Sequence, residues 1–114
     1  MTAPVPDPRE PDAPEPLTAA ELAAALDRLP GWRIADGHLV ASFTACRADV
    51  PVLYAAVAAA EDMTDHHARV TILYDTVTLA LTTHEAGDRI TVRDTEAAAV
   101  LGRLAAECGA VPAP

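Results

Sequence analysis

The sequence predicts an α+β fold in which helices pack on one face of a four-stranded antiparallel sheet, in the order α-β-β-α-β-β-α. Three observations support this prediction. The capping box Thr18-Ala-Ala-Glu21 is typical of a helix start. Asp36-Gly37 separates two short apolar runs, and apolar residues alternate about a central turn in residues 68–83. The last two patterns are typical of antiparallel hairpins, because connections this short cannot join parallel strands.

The first half of the chain is expected to form a helix, a hairpin and a second helix. Leucines and alanines share one helical face after Thr18, and Pro30-Gly31 ends that helix. Residues 32–34 and 38–43 are the expected strands of the first hairpin. Asp49 is expected to cap the second helix, which tolerates Pro51 in its first turn and extends to about residue 63.

The second half of the chain is expected to form another hairpin and the last helix. Apolar side chains recur at every second position on both sides of Asp75-Thr76, which is the expected turn. Thr91-Val-Arg-Asp94 has the spacing of a second capping box. The helix that begins there is expected to extend to about Glu107.

Composition and charge exclude several classes of protein. The chain has 114 residues, which suits a single domain, and its net charge of −9 disfavours binding to nucleic acid or to an anionic membrane. Cys46 and Cys108 are too far apart in sequence for a CxxC pair and fit reduced thiols. The sequence has no membrane-spanning apolar stretch and no secretory signal, so a cytoplasmic protein is expected.

The chain is expected to divide into three parts. Residues 1–16 hold six of the ten prolines and are expected to form a disordered tail, since proline cannot join a helix or a sheet ladder. Residues 17–109 are the expected folded domain. Residues 110–114 are expected to be a frayed C-terminus.

Three of the four histidines are expected to converge. A turn at Asp75-Thr76 would pair the two strands so that His67 lies opposite His84, with His66 beside them. Carboxylates surround this place in the sequence: Asp62, Asp65, Glu85 and Asp94. Imidazoles beside carboxylates are suited to acid/base catalysis near neutral pH. His38 lies apart and is expected to be an ordinary strand residue.

A metal site is the first alternative, because three histidines and nearby carboxylates could bind zinc or iron. Adjacent residues on a strand point to opposite faces, which disfavours His66 and His67 as ligands of one ion. The same objection applies to a shared catalytic site, unless the two residues lie in the turn between helix and strand.

The motif region resembles the pterin-4a-carbinolamine dehydratases. The resemblance rests on residues 62–94: an acidic residue four positions before a His-His pair, a Tyr and a Val in the hairpin, a Thr-His pair after it and an Asp at the start of the last helix. These residues are Asp62, His66, His67, Tyr74, Val77, Thr83, His84 and Asp94. A looser similarity, including Gly31-Trp32 and Phe43, extends over residues 17–108.

The resemblance implies dehydration of 4a-hydroxytetrahydropterin to quinonoid dihydropterin, which recycles the cofactor of aromatic amino-acid hydroxylases. It implies no metal and no organic cofactor, and assembly as a homodimer or homotetramer. It also implies that His66 and His84 transfer protons and that His67 orients the substrate. Five further residues are expected to bind or orient substrate or histidines: Asp62, Asp65, Thr83, Glu85 and Asp94.

The sequence departs from the family pattern at three places. Ala68 stands where the family usually has Pro, Val70 stands where an aromatic residue is common, and the loop from His84 to Asp94 is one residue longer. A non-catalytic binding or dimerisation module on the same fold is therefore the second alternative. The resemblance itself supplies a precedent, since one animal member is also a dimerisation partner of a homeodomain transcription factor.

Overall fold

The computed structural model describes residues 14–113 and has the predicted α+β architecture. Its elements follow the predicted order, with one short strand added at the end. The helices are α1 (Ala19–Leu26), α2 (Val50–Thr64) and α3 (Val92–Glu107), and the strands are β1 (Arg33–Ala35), β2 (His38–Thr44), β3 (Arg69–Leu73), β4 (Thr76–Leu81) and β5 (Val111–Pro112).

The strands form one antiparallel sheet in the order β1-β2-β4-β3, with β5 paired to part of β2. The hairpin turn between β3 and β4 lies one residue earlier than predicted. Tyr74 and Asp75 form it, Tyr74 adopts a positive φ of 53°, and Leu73 pairs with Thr76. The predicted register of this hairpin is therefore wrong, because moving the turn changes every partner across the two strands.

One face of the sheet forms the core. Leu39, Ala41 and Phe43 of β2 lie opposite Leu81, Leu79 and Val77 of β4, and all six side chains are buried. Because side chains alternate along a strand, these residues share a face. The helices cover it with their apolar stripes, which include Leu53 and Val57 of α2 and Ala98, Leu101 and Ala105 of α3.

The capping boxes predicted at the starts of α1 and α3 are present. At the start of α2, Asp49 is the N-cap residue as predicted, but its side chain makes no capping hydrogen bond. The Thr18 hydroxyl accepts from the Glu21 N–H, and Glu21 accepts in turn from the Thr18 N–H. The second box joins Thr91 and Asp94 at the start of α3. This second box holds the Asp94 carboxylate at the start of α3.

The C-terminal residues form a short strand, although the sequence predicted a frayed end. Residues 110–114 were expected to fray, but Val111 and Pro112 pair with Thr44 and Phe43, and the Ala113 N–H donates to the Ser42 carbonyl. The strand forms because the turn after α3 brings the chain back to the free edge of β2. The expected tail, residues 1–16, lies outside the described residues up to residue 13. Among residues 14–113, no helix has the length and apolar character needed to cross a bilayer.

Candidate active site

The end of α2 places His66 and His67 in a connection, not in a strand. Asp65 ends the helix in the left-handed conformation with φ 52°, and residues 66–68 lead from it to β3. The two adjacent histidines therefore need not alternate across a sheet. The His66 side chain turns inward with 12% of its surface exposed, whereas that of His67 is 54% exposed.

His66 is bound to the buried carboxylate of Asp94. The His66 Nε2 lies 2.7 Å from Asp94 Oδ1, and the Asp94 side chain is fully buried. Two further donors reach the other carboxylate oxygen: the Thr83 hydroxyl at 2.8 Å and the Thr91 N–H at 2.8 Å. Asp94 also lies in the first turn of α3, where the helix dipole favours a negative charge.

The directions of the hydrogen bonds around Asp94 follow from the number of protons available. A hydroxyl donates only once, so Thr83, which donates to Asp94, must accept at 2.7 Å from the Thr91 hydroxyl. The Thr91 oxygen accepts in turn from the Arg93 N–H at 3.2 Å. Where Asp94 is ionised it can only accept, so His66 donates to it through Nε2–H, and in the neutral imidazole Nδ1 then carries the lone pair. The network leaves that lone pair available for a proton.

The other two histidines have carboxylate partners of their own. The His67 Nε2 lies 3.4 Å from Asp62 Oδ1, and the His84 Nδ1 lies 3.2 Å from Asp88 Oδ1. All four of these side chains are more than half exposed. The predicted pairing of His67 with His84 does not occur. If the pairing of β3 with β4 is continued beyond the ends of the two strands, Thr83, not His84, lies opposite His66. Thr83 and His66 both form hydrogen bonds to the Asp94 carboxylate.

The remaining predicted site residues fall into two groups. Thr83 and Asp94 belong to the buried network. Glu85 lies on the surface with its carboxylate 3.7 Å from the Arg93 guanidinium, and Asp65 is exposed at the helix end. These last two residues contact none of the three histidines through a side-chain hydrogen bond within residues 14–113.

The longer loop before α3 is folded tightly and leaves Asp94 in place. A 3₁₀ turn at His84–Ala86 is followed by two left-handed residues, Gly87 and Asp88. The Thr83 N–H then donates to the Arg89 carbonyl at 2.9 Å, which closes the loop on itself. The loop therefore closes before the α3 capping box, which holds Asp94 in the network with His66 and Thr83.

Glu61 is the residue that the sequence interpretation missed. It is only 6% exposed, and its Oε2 accepts a short hydrogen bond from the Ala68 N–H. Asp62, the neighbouring acid that the sequence interpretation singled out, is exposed and lies 3.4 Å from the His67 ring. The signal was present in the sequence, because Leu53, Val57 and Glu61 recur at intervals of four along α2 and share its buried face.

Glu61 and His66 line a cleft between α2 and α3. The cleft has a volume of about 300 Å³, and its walls include Ala60, Thr64, Arg93, Glu96 and Leu101. No described residue donates to Glu61 Oε1, so this oxygen remains available to a ligand. The cleft thus offers a carboxylate acceptor, an imidazole and an apolar wall. Such a set suits a flat heterocycle that carries N–H donors.

The described residues contain no group of three or more His, Cys, Asp and Glu side chains placed to hold one metal ion. The three histidines of the predicted site, His66, His67 and His84, each lie near a different carboxylate.

Comparisons with known proteins agree with the resemblance seen in the motif region. The family model described as pterin 4 alpha carbinolamine dehydratase matches residues 15–104. A protein of Streptomyces coelicolor named "Putative pterin-4-alpha-carbinolamine dehydratase" is 37% identical over 97 residues, which is 84% of this chain and 96% of that protein. A protein of the same name from Rhodopseudomonas palustris is 36% identical over 94 residues, 80% of this chain and 92% of the relative.

A solved structure shares the fold. The transcriptional coactivator/pterin dehydratase from Brucella melitensis superposes with a TM-score of 0.74 at 27% identity, covering 79% of this chain and 98% of that one. The family match spans most of the chain and includes α2, both strands of the second hairpin and the Asp94 capping box. This chain therefore belongs to the pterin-4a-carbinolamine dehydratase family.

Proposed function

We propose that this protein dehydrates 4a-hydroxytetrahydropterin to quinonoid dihydropterin, with the cleft beside His66 as its active site. Family membership supports the reaction class, and the His66–Asp94 pair is the observation that carries the proposal. A buried carboxylate that holds one nitrogen of an imidazole fixes the orientation of the ring and leaves the other nitrogen for proton transfer. His66 is thus suited to accept a proton.

The reaction needs one proton delivered and one removed. The hydroxyl on C4a leaves as water when it gains a proton, and a ring N–H loses a proton as the new double bond forms. We assign the second step to His66, whose Nδ1 lone pair is free while Nε2–H donates to Asp94. We assign the first step to His84 in its protonated form. Solvent returns both side chains to their starting states, and each proton transfer contributes about 10²–10⁴-fold.

Binding and orientation fall to the remaining side chains. We propose that His67, oriented by Asp62 at 3.4 Å, contacts the substrate. Thr83 positions Asp94 through its hydroxyl. We add Glu61 to these residues, because its free oxygen suits the N–H and amino donors on the pyrimidine edge of a pterin. Asp65 and Glu85 are assigned to the rim, where Glu85 holds Arg93.

The proposal also includes a cytoplasmic location, assembly as a homo-oligomer and a role in recycling the cofactor of aromatic amino-acid hydroxylases. The name of the Brucella melitensis protein supports a second function, since it pairs coactivator with dehydratase. On that reading the domain binds another protein and its pterin chemistry is weak or absent.

The test is the dehydration of freshly generated 4a-hydroxytetrahydropterin, followed by its ultraviolet absorbance with and without the protein. Acceleration by the wild type that is lost in a His66→Ala/His84→Ala variant supports the proposal. His38→Ala is the matched control, because within residues 14–113 the His38 ring bonds only to the Asp36 carbonyl, and His38 does not line the cleft. Folded wild-type protein that gives no acceleration would contradict the proposal and favour the binding function.

A further inference from the structure

A second groove lies on the opposite side of α3 from the candidate active site. It has a volume of about 440 Å³ and runs between the end of α1, the outer part of α3 and the paired strands β2 and β5. Its walls are apolar and small, and include Leu29, Pro30, Phe43, Ala98, Gly102 and Pro112. None of the residues assigned to pterin chemistry lines it, so the groove requires an explanation of its own.

Trp32 forms the floor of this groove and presents an unpaired donor to it. The side chain is 7% exposed and packs edge-on against Phe43, with ring centroids 6.2 Å apart. Among residues 14–113, the indole N–H has no hydrogen-bond acceptor, although no buried side-chain atom is left unsatisfied. The N–H is therefore reached from the groove. Gly102 lies beside this nitrogen, since a Cβ there would be in van der Waals contact with it at 3.5 Å.

Two arginines stand at the rim. Arg28 and Arg103 line the groove, both are exposed, and neither forms an ion pair with a carboxylate in the described part of the chain. The three polar side chains of the groove are thus all donors, and none is an acceptor. The chemistry selects an occupant that is apolar, rich in acceptors, poor in donors and negatively charged.

Residues 1–13 have this chemistry. They contain Pro4, Pro6, Pro8 and Pro11, whose rings are apolar and whose nitrogens carry no proton. They also contain the acids Asp7, Glu10 and Asp12 against the single base Arg9. Proline-rich segments favour the polyproline II conformation, which has no internal hydrogen bonds and leaves its carbonyls open to a donor.

The segment is long enough to reach the groove. The Leu17 N–H is bonded to the Ile90 carbonyl, and α1 then runs from Ala19 towards Arg28 at the rim. The eight residues of α1 span about 12 Å at 1.5 Å per residue. Thirteen residues in a polyproline II conformation extend roughly 40 Å. Attachment to the same chain also gives the segment an effective concentration of about millimolar.

We propose that the N-terminal proline-rich segment of this chain, residues 1–13, docks in the groove over Trp32. Its proline rings pack on the indole and the small side chains of α3, one of its carbonyls accepts from the indole N–H, and its acids pair with Arg28 and Arg103. This inference does not depend on the proposed dehydratase activity.

The chain offers a direct reporter, because Trp32 is its only tryptophan. Three full-length variants are compared with the wild type by indole N–H resonance, emission wavelength and acrylamide quenching. They are the tail reversal Asp7→Lys/Glu10→Lys/Asp12→Lys, the groove reversal Arg28→Glu/Arg103→Glu, and the two combined. Arg33→Glu is the control, since Arg33 is an exposed arginine outside the groove.

Docking predicts that each reversal alone shifts Trp32 emission to the red, increases quenching and moves the indole resonance. The combined variant returns all three towards the wild type, and added salt moves the wild type towards the single reversals. Identical spectra for the wild type and the tail reversal would overturn the proposal, whether or not the groove reversal folds. Two other results would also overturn the proposal. Quenching that depends on protein concentration but not on the tail sequence would indicate that a second copy of the chain occupies the groove. An equal change in Trp32 emission of the wild type and the tail reversal on addition of hexanoate would indicate that the groove binds a free ligand.

Discussion

The imidazole of His66 and the carboxylate of Asp94 meet at 2.7 Å, although 28 residues separate them in the sequence. One belongs to the exit of α2 and the other to the first turn of α3. The contact depends on two local devices: the left-handed Asp65 that directs the chain inward, and the capping box that holds Asp94 at the start of its helix. The proton transfer proposed for His66 should therefore be sensitive to changes at either device.

Asp94→Asn tests the pair directly. An amide can donate to His66 as well as accept, so the Nε2–H tautomer is no longer enforced and the protonated ring loses its counter-ion. We expect kcat to fall by about 10²-fold or more, with a smaller change in KM. Stopped-flow absorbance on the pterin carbinolamine measures both. Asp49→Asn is the control, because the Asp49 side chain makes no capping hydrogen bond at the start of α2; equal rates for the two variants would contradict the role of Asp94.

Thr83→Val should destabilise the fold as well as the site. The substitution removes a donor from Asp94 and leaves the Thr91 hydroxyl without its acceptor, in a place where all three side chains are fully buried. Leaving buried groups unpaired costs about 1–3 kcal/mol. Urea unfolding gives the difference. Thr83→Ser restores the hydroxyl and should recover most of the loss; no recovery would mean that packing, not the network, is the cause.

Glu61→Gln separates binding from chemistry. If the free carboxylate oxygen accepts from the pyrimidine edge of the pterin, replacing it with an amide weakens binding, whereas proton transfer by His66 continues. We expect KM to rise by about tenfold with little change in kcat, which corresponds to one hydrogen bond to a charged group. Asp62→Asn, on the exposed neighbour, should affect KM less. A larger effect at Asp62 would contradict the proposed role of Glu61 in binding.

The α1 capping box gives a pH-dependent prediction. Hydrogen bonds from the Thr18 backbone, and then from its side chain, lower the pKa of Glu21 below its ordinary value of 4.5. A lowered pKa in the folded state means that the ionised form adds stability above pH 4.5 and that this stability is lost as the pH falls through the folded value. The difference in free energy of unfolding between wild type and Glu21→Gln should therefore be present at pH 7 and vanish near pH 3. A constant difference across that range would show that the charge of Glu21 plays no part.

The order of the elements was predictable because each is marked locally. Residues close in sequence form the capping boxes at Thr18 and Thr91 and the apolar alternation about the second hairpin. The register was not, because a turn at Tyr74-Asp75 and one at Asp75-Thr76 satisfy the same alternation, and only packing against β2 distinguishes them. The prediction that His67 lies opposite His84 depended on that turn and was wrong for this reason.

The site was predictable only where local geometry and chemistry coincide. The position of Asp94 at the start of α3 was predictable from its capping box, and its place among the candidate site residues came from the family resemblance. Glu61 was missed because the search for an acid followed a fixed distance from the His-His pair, whereas burial follows the helical repeat of α2. The β5 strand was missed because Val111–Pro112 is too short to show alternation and forms through contact with β2.

For Ala68→Pro, the family pattern and this structure predict different effects on stability. The resemblance places proline at this position, which suggests that the substitution is harmless or improves the cleft. In this chain, however, the Ala68 N–H donates to the buried carboxylate of Glu61, and proline has no N–H to give. Removing a hydrogen bond to a charged group costs about 1.5–3 kcal/mol. Thermal or urea unfolding should show that loss in Ala68→Pro but not in Ala68→Ser, which keeps the donor.

The loss should shrink in an Ala68→Pro/Glu61→Gln double variant, because the carboxylate is then absent and the two changes are coupled. Equal stability of the proline and serine variants would mean that Glu61 finds another donor and that its position does not depend on residue 68.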